Sequence, residues 1–505
     1  MPPTEVEVTL LDLGPDIEQM LDDRLELIDP ETGIPAIEAR VGEAQLGIRI
    51  RYRLVYDQRI GDPEQSWDFP KTGNRVPRSE RALIAASVIS PGMTLQLRSG
   101  ATFRQMVADL DADGLTDALG ILGDEIADAT ARLAEVKGVQ AGVRDVLSEG
   151  AAQLLGVSQT SPGLGFGYVV DDGSGEAILR RLQPTLILDS GVGALPLSMH
   201  GSSAAGVLGV TEAMASAKLA RSVVLADDFG DDLDAGSAEY LAALLRRKSG
   251  QVWLSTRRPE VARAFEPTEV LRLTQSHGHR RNHRLRQTTD RKERTARRQL
   301  HLLLLPAMTT RVVALLEGPH DQESLTSVAE RRLHDKGIAP PVAYGVRLAA
   351  TGLGDGGKTQ LPKLARLAAD LGFHVRVVMD NDKPGEDADL IAELAELSEQ
   401  VILLPERTAI ERALVRGLPS SVVREVLEEL KSVYGLTVNI EAIPEPALEN
   451  EAAKLLKQKG GLHQQFVNAL PSGVFPPLVV EILDALTAAP LVDGFMQLEN
   501  PEEGS

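Results

Sequence analysis

Carboxylates at the ends of apolar runs carry the chemistry in this sequence. Residues 311–316 are rich in Val and Leu and stop at Glu317-Gly318, with Asp321 four residues after the glutamate. Residues 375–379 are apolar and stop at Asp380-Asn381-Asp382. Short apolar runs bounded by Gly and polar residues read as buried parallel strands. The strand ends of such a sheet gather side chains along one edge. Glu317, Asp380 and Asp382, with Asp321, are therefore expected in one cleft. Like charges that close repel, and burial worsens the repulsion. A hard divalent cation relieves it. All-oxygen ligands, with no cysteine anywhere and no nearby histidine pair, favour Mg2+ or Mn2+ over Zn2+. A DxD alone reads as a solvated turn; EG…D and DxD at two strand ends of one β-α-β series form a more specific pattern.

The elements that must position these acids are legible around them. Between the two runs lie a helical stretch at 321–336, an apolar run at 344–350, a Gly-rich turn and a helix at 360–371. That is β-α-β-α-β, a doubly wound parallel sheet. A helix at 388–397, a fourth strand at 401–404 and a helix opened by residues 405–412 follow. Residues 421–470 read as mostly helical with a break at 441–446, and 493–505 as a frayed tail. Residues 352–359, GLGDGGKT, also fit the phosphate-loop pattern GxxxxGK[ST], placed between a strand and a helix. An ATP site there is one alternative reading. Turn geometry explains the glycines more simply, and leaves Lys358 able to touch a substrate phosphate.

Composition sets the bounds. A chain of 505 residues holds two or three domains. Without cysteine there are no disulfides and no Cys-ligated zinc. A net charge of −20 rules out whole-molecule attraction to nucleic acid, so DNA binding needs a local basic patch or metal ions. Aromatics are only 3%, too few for a stacking platform on single strands. No signal peptide or long apolar run is visible, so a cytoplasmic protein without membrane contact is expected.

The first half reads differently. Residues 5–11 and 46–55 alternate as half-exposed antiparallel strands, with a turn at 29–33. Residues 75–150 become helical, with apolar three-to-four spacing at 102–110, 115–136 and 139–155. Strands return at 165–170, 177–182 and 185–188. A Ser/Gly turn containing Ser198, Gly201 and Ser202 then precedes a buried strand, 223–226, that ends in Asp227-Asp228. Such a strand end has the Walker B form, in which one acid positions Mg2+ and the next polarises water. A further strand at 251–255 leads to Thr256-Arg257. Residues 271–300 are the one basic block, with Arg280, Arg281, Arg284 and Arg286 at its centre and Arg272 at its start. It reads as a phosphate-contacting strip or as a solvated linker. Its histidines, His277, His279 and His283, have cationic neighbours, which argues against a metal there.

These pieces together resemble the OLD (overcoming lysogenization defect) family of nucleases. The Ser/Gly turn, helix, DD strand and following strand resemble the second half of an ABC-type ATPase head, and the EG…D and DxD strand ends resemble a Toprim domain. The resemblance implies an α/β chain of two parts. Residues 1–265 would be an ABC/SMC-like head with a helical insertion at about 75–155. A basic linker at 266–305 would lead to a Toprim domain at 306–492 with a helical C-terminal part, and 493–505 would be a disordered tail. It implies metal ligation by Glu317, Asp321, Asp380, Asp382 and Glu411, a catalytic lysine at Lys457 or Lys459, and Ser198, Gly201 and Ser202 facing a second subunit's γ-phosphate. It implies a two-metal DNA endonuclease or nickase and a homodimer formed through the head. Two departures count against ATP hydrolysis by this chain alone. No phosphate loop precedes the strands of 1–60, so the head reads as N-terminally incomplete, and Arg257 stands where the family usually has His. A non-catalytic DNA-binding or dimerisation scaffold is the competing reading. Topoisomerase chemistry would need a tyrosine presented across the cleft, and no domain is evident to present one.

Overall fold

A computed structural model describes residues 4–501, apart from 37–41, 57–62, 78–79, 81–85, 90–94, 98–101, 147–178, 180–183, 188–192, 217–222, 277, 353–356, 383, 458–460 and 489–493. The chain is mixed α/β and divides into two compact units, Met1–Thr256 and Arg257–Ser505.

In the first unit the alternating sequences become β1 (Thr4–Leu11) and β3 (Gln45–Tyr56), paired antiparallel along their length. β2 (Glu26–Ile28) and β4 (Pro63–Asp68) pair with β3 in turn. Ile48 and Ile50 point into a small core with Leu13, Leu21 and Phe69. The intervening arginines face out and meet acids on adjacent strands: Arg49 with Glu26 and Glu7, Arg51 with Asp68, Arg53 with Glu5. A second sheet is parallel and three-stranded, in the order β5 (Ala86–Ile89), β8 (Val223–Ala226), β9 (Gln251–Leu254), and β6 (Thr185–Leu186) and β7 (Leu195–Pro196) form a short antiparallel pair. β5 corrects the expectation that 75–150 is helical throughout: four residues inside that span form a parallel strand. The helical part proper is Thr102–Glu135, kinked at Asp111, and Lys137–Val146. The Asp111 side chain accepts from the Gly114 amide at 2.9 Å, which starts a new helical segment just where the apolar spacing lapses. The strands expected at 165–170 and 177–182 fall on residues that are almost all outside the described ones.

The second unit is built on a five-stranded, all-parallel sheet in the order β13 (Val346–Ala350), β12 (Val312–Leu316), β14 (His374–Met379), β15 (Gln400–Leu403), β16 (Gly494–Gln497). Every residue of β12 is buried, as a strand covered on both faces must be. Its side chains alternate between two cores. Val312, Ala314 and Leu316 pack with the helices Pro319–Lys336, Ser420–Tyr434, Glu445–Leu456 and Pro477–Thr487. Val313 and Leu315 pack with Arg291–Leu304, Gly357–Asp370 and Ala388–Leu397.

Two expectations are corrected here. Residues 266–305 are not a linker. β10 (Leu271–Ser276) and β11 (His279–Arg284) form a hairpin, and the helix that follows buries Leu300 and Leu304 in the second core. Arg272 is buried, donates to the carbonyls of Met308, Thr310 and Leu371 at 3.0, 2.6 and 2.7 Å, and lies over the Phe373 ring. Nor is 493–505 simply a frayed tail. β16 extends the sheet, and Leu498 is buried, its amide donating to the Leu403 carbonyl. The signal missed was the short apolar pattern of 495–498, too brief to register as a strand on periodicity alone.

Candidate metal centre

β12 and β14 are adjacent and parallel, so the residues just past their ends emerge side by side. Glu317 follows β12. The Thr351 hydroxyl donates to the Glu317 carbonyl, and a carboxylate oxygen of Glu317 accepts from the Asp380 amide at 2.7 Å. Thus the first acid is fastened to the backbone of the second. Asp321 lies in the first turn of Pro319–Lys336 and accepts from the Gly318 amide at 2.8 Å, which closes that helix terminus. It is buried all the same.

Glu411 is brought in by a separate device. Asn381 and Thr408 exchange backbone hydrogen bonds of 2.9 and 3.2 Å, and the Asn381 amide group donates to the Leu404 carbonyl at 3.2 Å. This pins the loop after β15 against the Asp-Asn-Asp segment. The short helix Ile410–Ala413 then starts beside the acids, with Glu411 buried. Thr408 and Asn381 are buried by this pairing; in the sequence Asn381 stood out only as a spacer between two aspartates.

The electrostatics follow from the crowding. Burial, with Asp321 and Asp382 nearby, pushes the Glu317 carboxyl up to about 8 despite Lys358. Burial and Glu411 push Asp321 up to about 6 against its amide hydrogen bonds and His463. Burial, then Asp321, Glu317 and Glu411, raise Asp380 well above the usual carboxylate range. Glu411 is the exception: burial works against its charge, but His463 and Lys457 hold it below its ordinary value. Glu317, Asp321 and Asp380 therefore hold protons more readily than free carboxyls, beside an ionised Glu411, where a divalent cation would neutralise the set better. Hard oxygen donors from two strand ends and two helix starts suit Mg2+ or Mn2+.

Lys358 supplies positive charge to this cleft. Its Nζ lies 2.8 Å from Asp382 and from Asp387, and 3.9 Å from Glu317. Asp382 is exposed and turned to the lysine rather than sharing the interior with Asp380. Asp387, at the start of Ala388–Leu397, was not anticipated; its signal was only an N-terminal acid on a predicted helix. Gly357 has a role that the phosphate-loop reading did not assign, since a Cβ there would stand 3.0 Å from the Glu317 carbonyl. Residues 353–356 of that turn lie outside the described residues.

Lys457 reaches Glu411 at 3.3 Å from an exposed position, and Lys459 lies outside the described residues. Arg280, Arg281 and Arg284 are exposed on β11, and Arg286 just after it. In the first unit, Asp227 and Asp228 follow β8. Asp227 accepts from the Ser255 hydroxyl, the Asp228 amide donates to the same oxygen at 2.8 Å, and Asp228 has a positive φ of 47°. Ser198 sits in the 3-10 turn Leu197–Met199, and Gly201-Ser202 opens the helix Ser202–Ser216. The order of turn, helix and acidic strand end matches the sequence reading.

One further expectation is corrected. His320 and His463, far apart in sequence, stack with ring centroids 4.4 Å apart, so a histidine pair does stand beside the acids. In comparisons with known proteins, no family model and no curated protein matches this chain.

Proposed function

We propose that the second unit is a Toprim-type, divalent-metal-dependent DNA endonuclease or nickase of the OLD kind. The first unit would be an ABC-type ATPase-like head that regulates it. The observation that carries this reading is the fastening of Glu317 to the Asp380 backbone, with Asp321 and Glu411 alongside, at the C-terminal edge of a parallel sheet. Mg2+ or Mn2+ held by these acids would supply a bound hydroxide and stabilise the departing 3′-oxygen. The chain's own residues have separate tasks. Glu317, Asp321, Asp380 and Glu411 hold the ions. Lys358 and Lys457 offer positive charge to the phosphate oxygens, and Lys358 can do so only by leaving Asp382 and Asp387. Arg280, Arg281, Arg284 and Arg286 offer phosphate contacts on an otherwise acidic molecule. ATP, if it binds, would be the head's ligand through Asp227 and Asp228, in a homodimer.

The test is nicking of supercoiled plasmid with Mg2+ or Mn2+. Wild type nicks, chelator stops it, and Glu317→Ala and Asp380→Ala each lower the rate at least about a hundredfold. Nicking that persists in both variants refutes the reading. Salt-dependent DNA binding without nicking supports the scaffold reading instead.

A further inference from the structure

His320 and Glu323 lie one turn apart on Pro319–Lys336, so they share a face of that helix. His463 comes to the same face from the start of the helix His463–Ala469. One ligand atom from each of the three lies within 4.8 Å of the others. His463 is completely buried, and its Nδ1 has no hydrogen-bond partner; neither has the buried Nδ1 of His320. A buried polar atom without a partner is costly. Two such atoms, on rings that stack and so must turn to share one ligand, point to an occupant.

The space between them is kept open by Gly461. Its φ of +96° suits glycine, and a Cβ there would stand 2.9 Å from His463 Nδ1 and 3.0 Å from His320 Nδ1. Both Nδ1 atoms thus border the same small volume. On the other edge of the His463 ring, Nε2 lies 3.6 Å from a carboxylate oxygen of Glu411. A carboxylate there favours the tautomer with the proton on Nε2, which leaves the Nδ1 lone pair free to ligate. Two imidazole nitrogens and one carboxylate oxygen form a donor set for a borderline ion rather than a hard one.

We propose that His320, His463 and Glu323 form a Zn2+ site, distinct from the carboxylate cleft and joined to it through Glu411. Glu323 and His320 are half-exposed, which gives the ion an entry path and leaves a coordination position for water. Glu411, 3.6 Å from Nε2, is the carboxylate that would orient His463 on ligation. An ion on the histidines therefore adds positive charge beside the acids.

The experiment uses the untagged full-length chain and Co2+, a spectroscopic substitute for Zn2+. Wild type is expected to take up Co2+ with visible d–d absorption, and Zn2+ is expected to bleach it. His320→Ala and Glu323→Gln, both at half-exposed positions, are each expected to weaken Co2+ binding at least tenfold, with circular dichroism confirming that they fold. Asp380→Asn is expected to keep the band. Absence of the band in wild type, or an unchanged affinity in both folded variants, overturns the proposal. So does loss of the band in Asp380→Asn, which would place the ion in the carboxylate cleft.

Discussion

At the scale of single residues, a lysine and a set of protons balance the acids in the absence of metal. Glu317 ionises near 4.5 in an unfolded chain and is pushed up to about 8 in the fold. Between those values the folded state holds the extra proton, so stability falls as pH rises. This contribution is complete below about 4.5 and lost as pH passes 8. A metal ion must displace the same proton, so its affinity rises across that window. Lys358 acts in the same direction as a metal, since its ammonium sits among Asp382, Asp387 and Glu317. Lys358→Met is expected to destabilise the metal-free protein by about 1 kcal/mol, or roughly 2–4 °C in melting temperature. Millimolar Mg2+ is expected to recover the loss in a calorimetric scan. ATP binding, followed with a fluorescent analogue, is expected to be unchanged in this variant; its loss would favour a nucleotide site at 352–359.

At the scale of elements, the sequence disclosed what had strong periodicity and hid what depended on long-range pairing. The strands at 312–316, 374–379 and 400–403 announced themselves as apolar runs, because parallel strands covered on both faces have no polar side to alternate. The acids at their ends were legible for the same reason. Lys358 was legible only as part of a phosphate-loop pattern, because its partners, Asp382 and Asp387, lie more than twenty residues away, past the end of β14. His463 carried no local signal at all. It meets His320 because the helices Pro319–Lys336 and His463–Ala469 pack together, a contact that no short pattern encodes. β16 was missed because four residues with a single partner strand look like any tail. Its anchor, Leu498, is in the core. Leu498→Ala is expected to cost about 2–5 kcal/mol in urea unfolding. A loss under about 0.5 kcal/mol would return 494–498 to the status of a loose end.

At the scale of the molecule, the two units carry different parts of the proposal. The acids, the histidine pair and the exposed arginines of β11 all belong to Arg257–Ser505. Among the described residues no helix is long and apolar enough to cross a membrane. With a net charge of −20, nucleic acid would have to be held by local cations rather than by the overall field. Arg280→Ala with Arg281→Ala is expected to reduce the slope of log affinity against log salt by about 2, with folding unaffected; an unchanged slope would place the DNA elsewhere. The most direct test of the central claim is the melting temperature followed from pH 5 to 8, with chelator and with Mg2+, for wild type and Asp380→Asn. Wild type is expected to lose stability with rising pH in chelator and to regain it with Mg2+, whereas Asp380→Asn is expected to gain nothing from Mg2+. An equal Mg2+ effect in both proteins would contradict it.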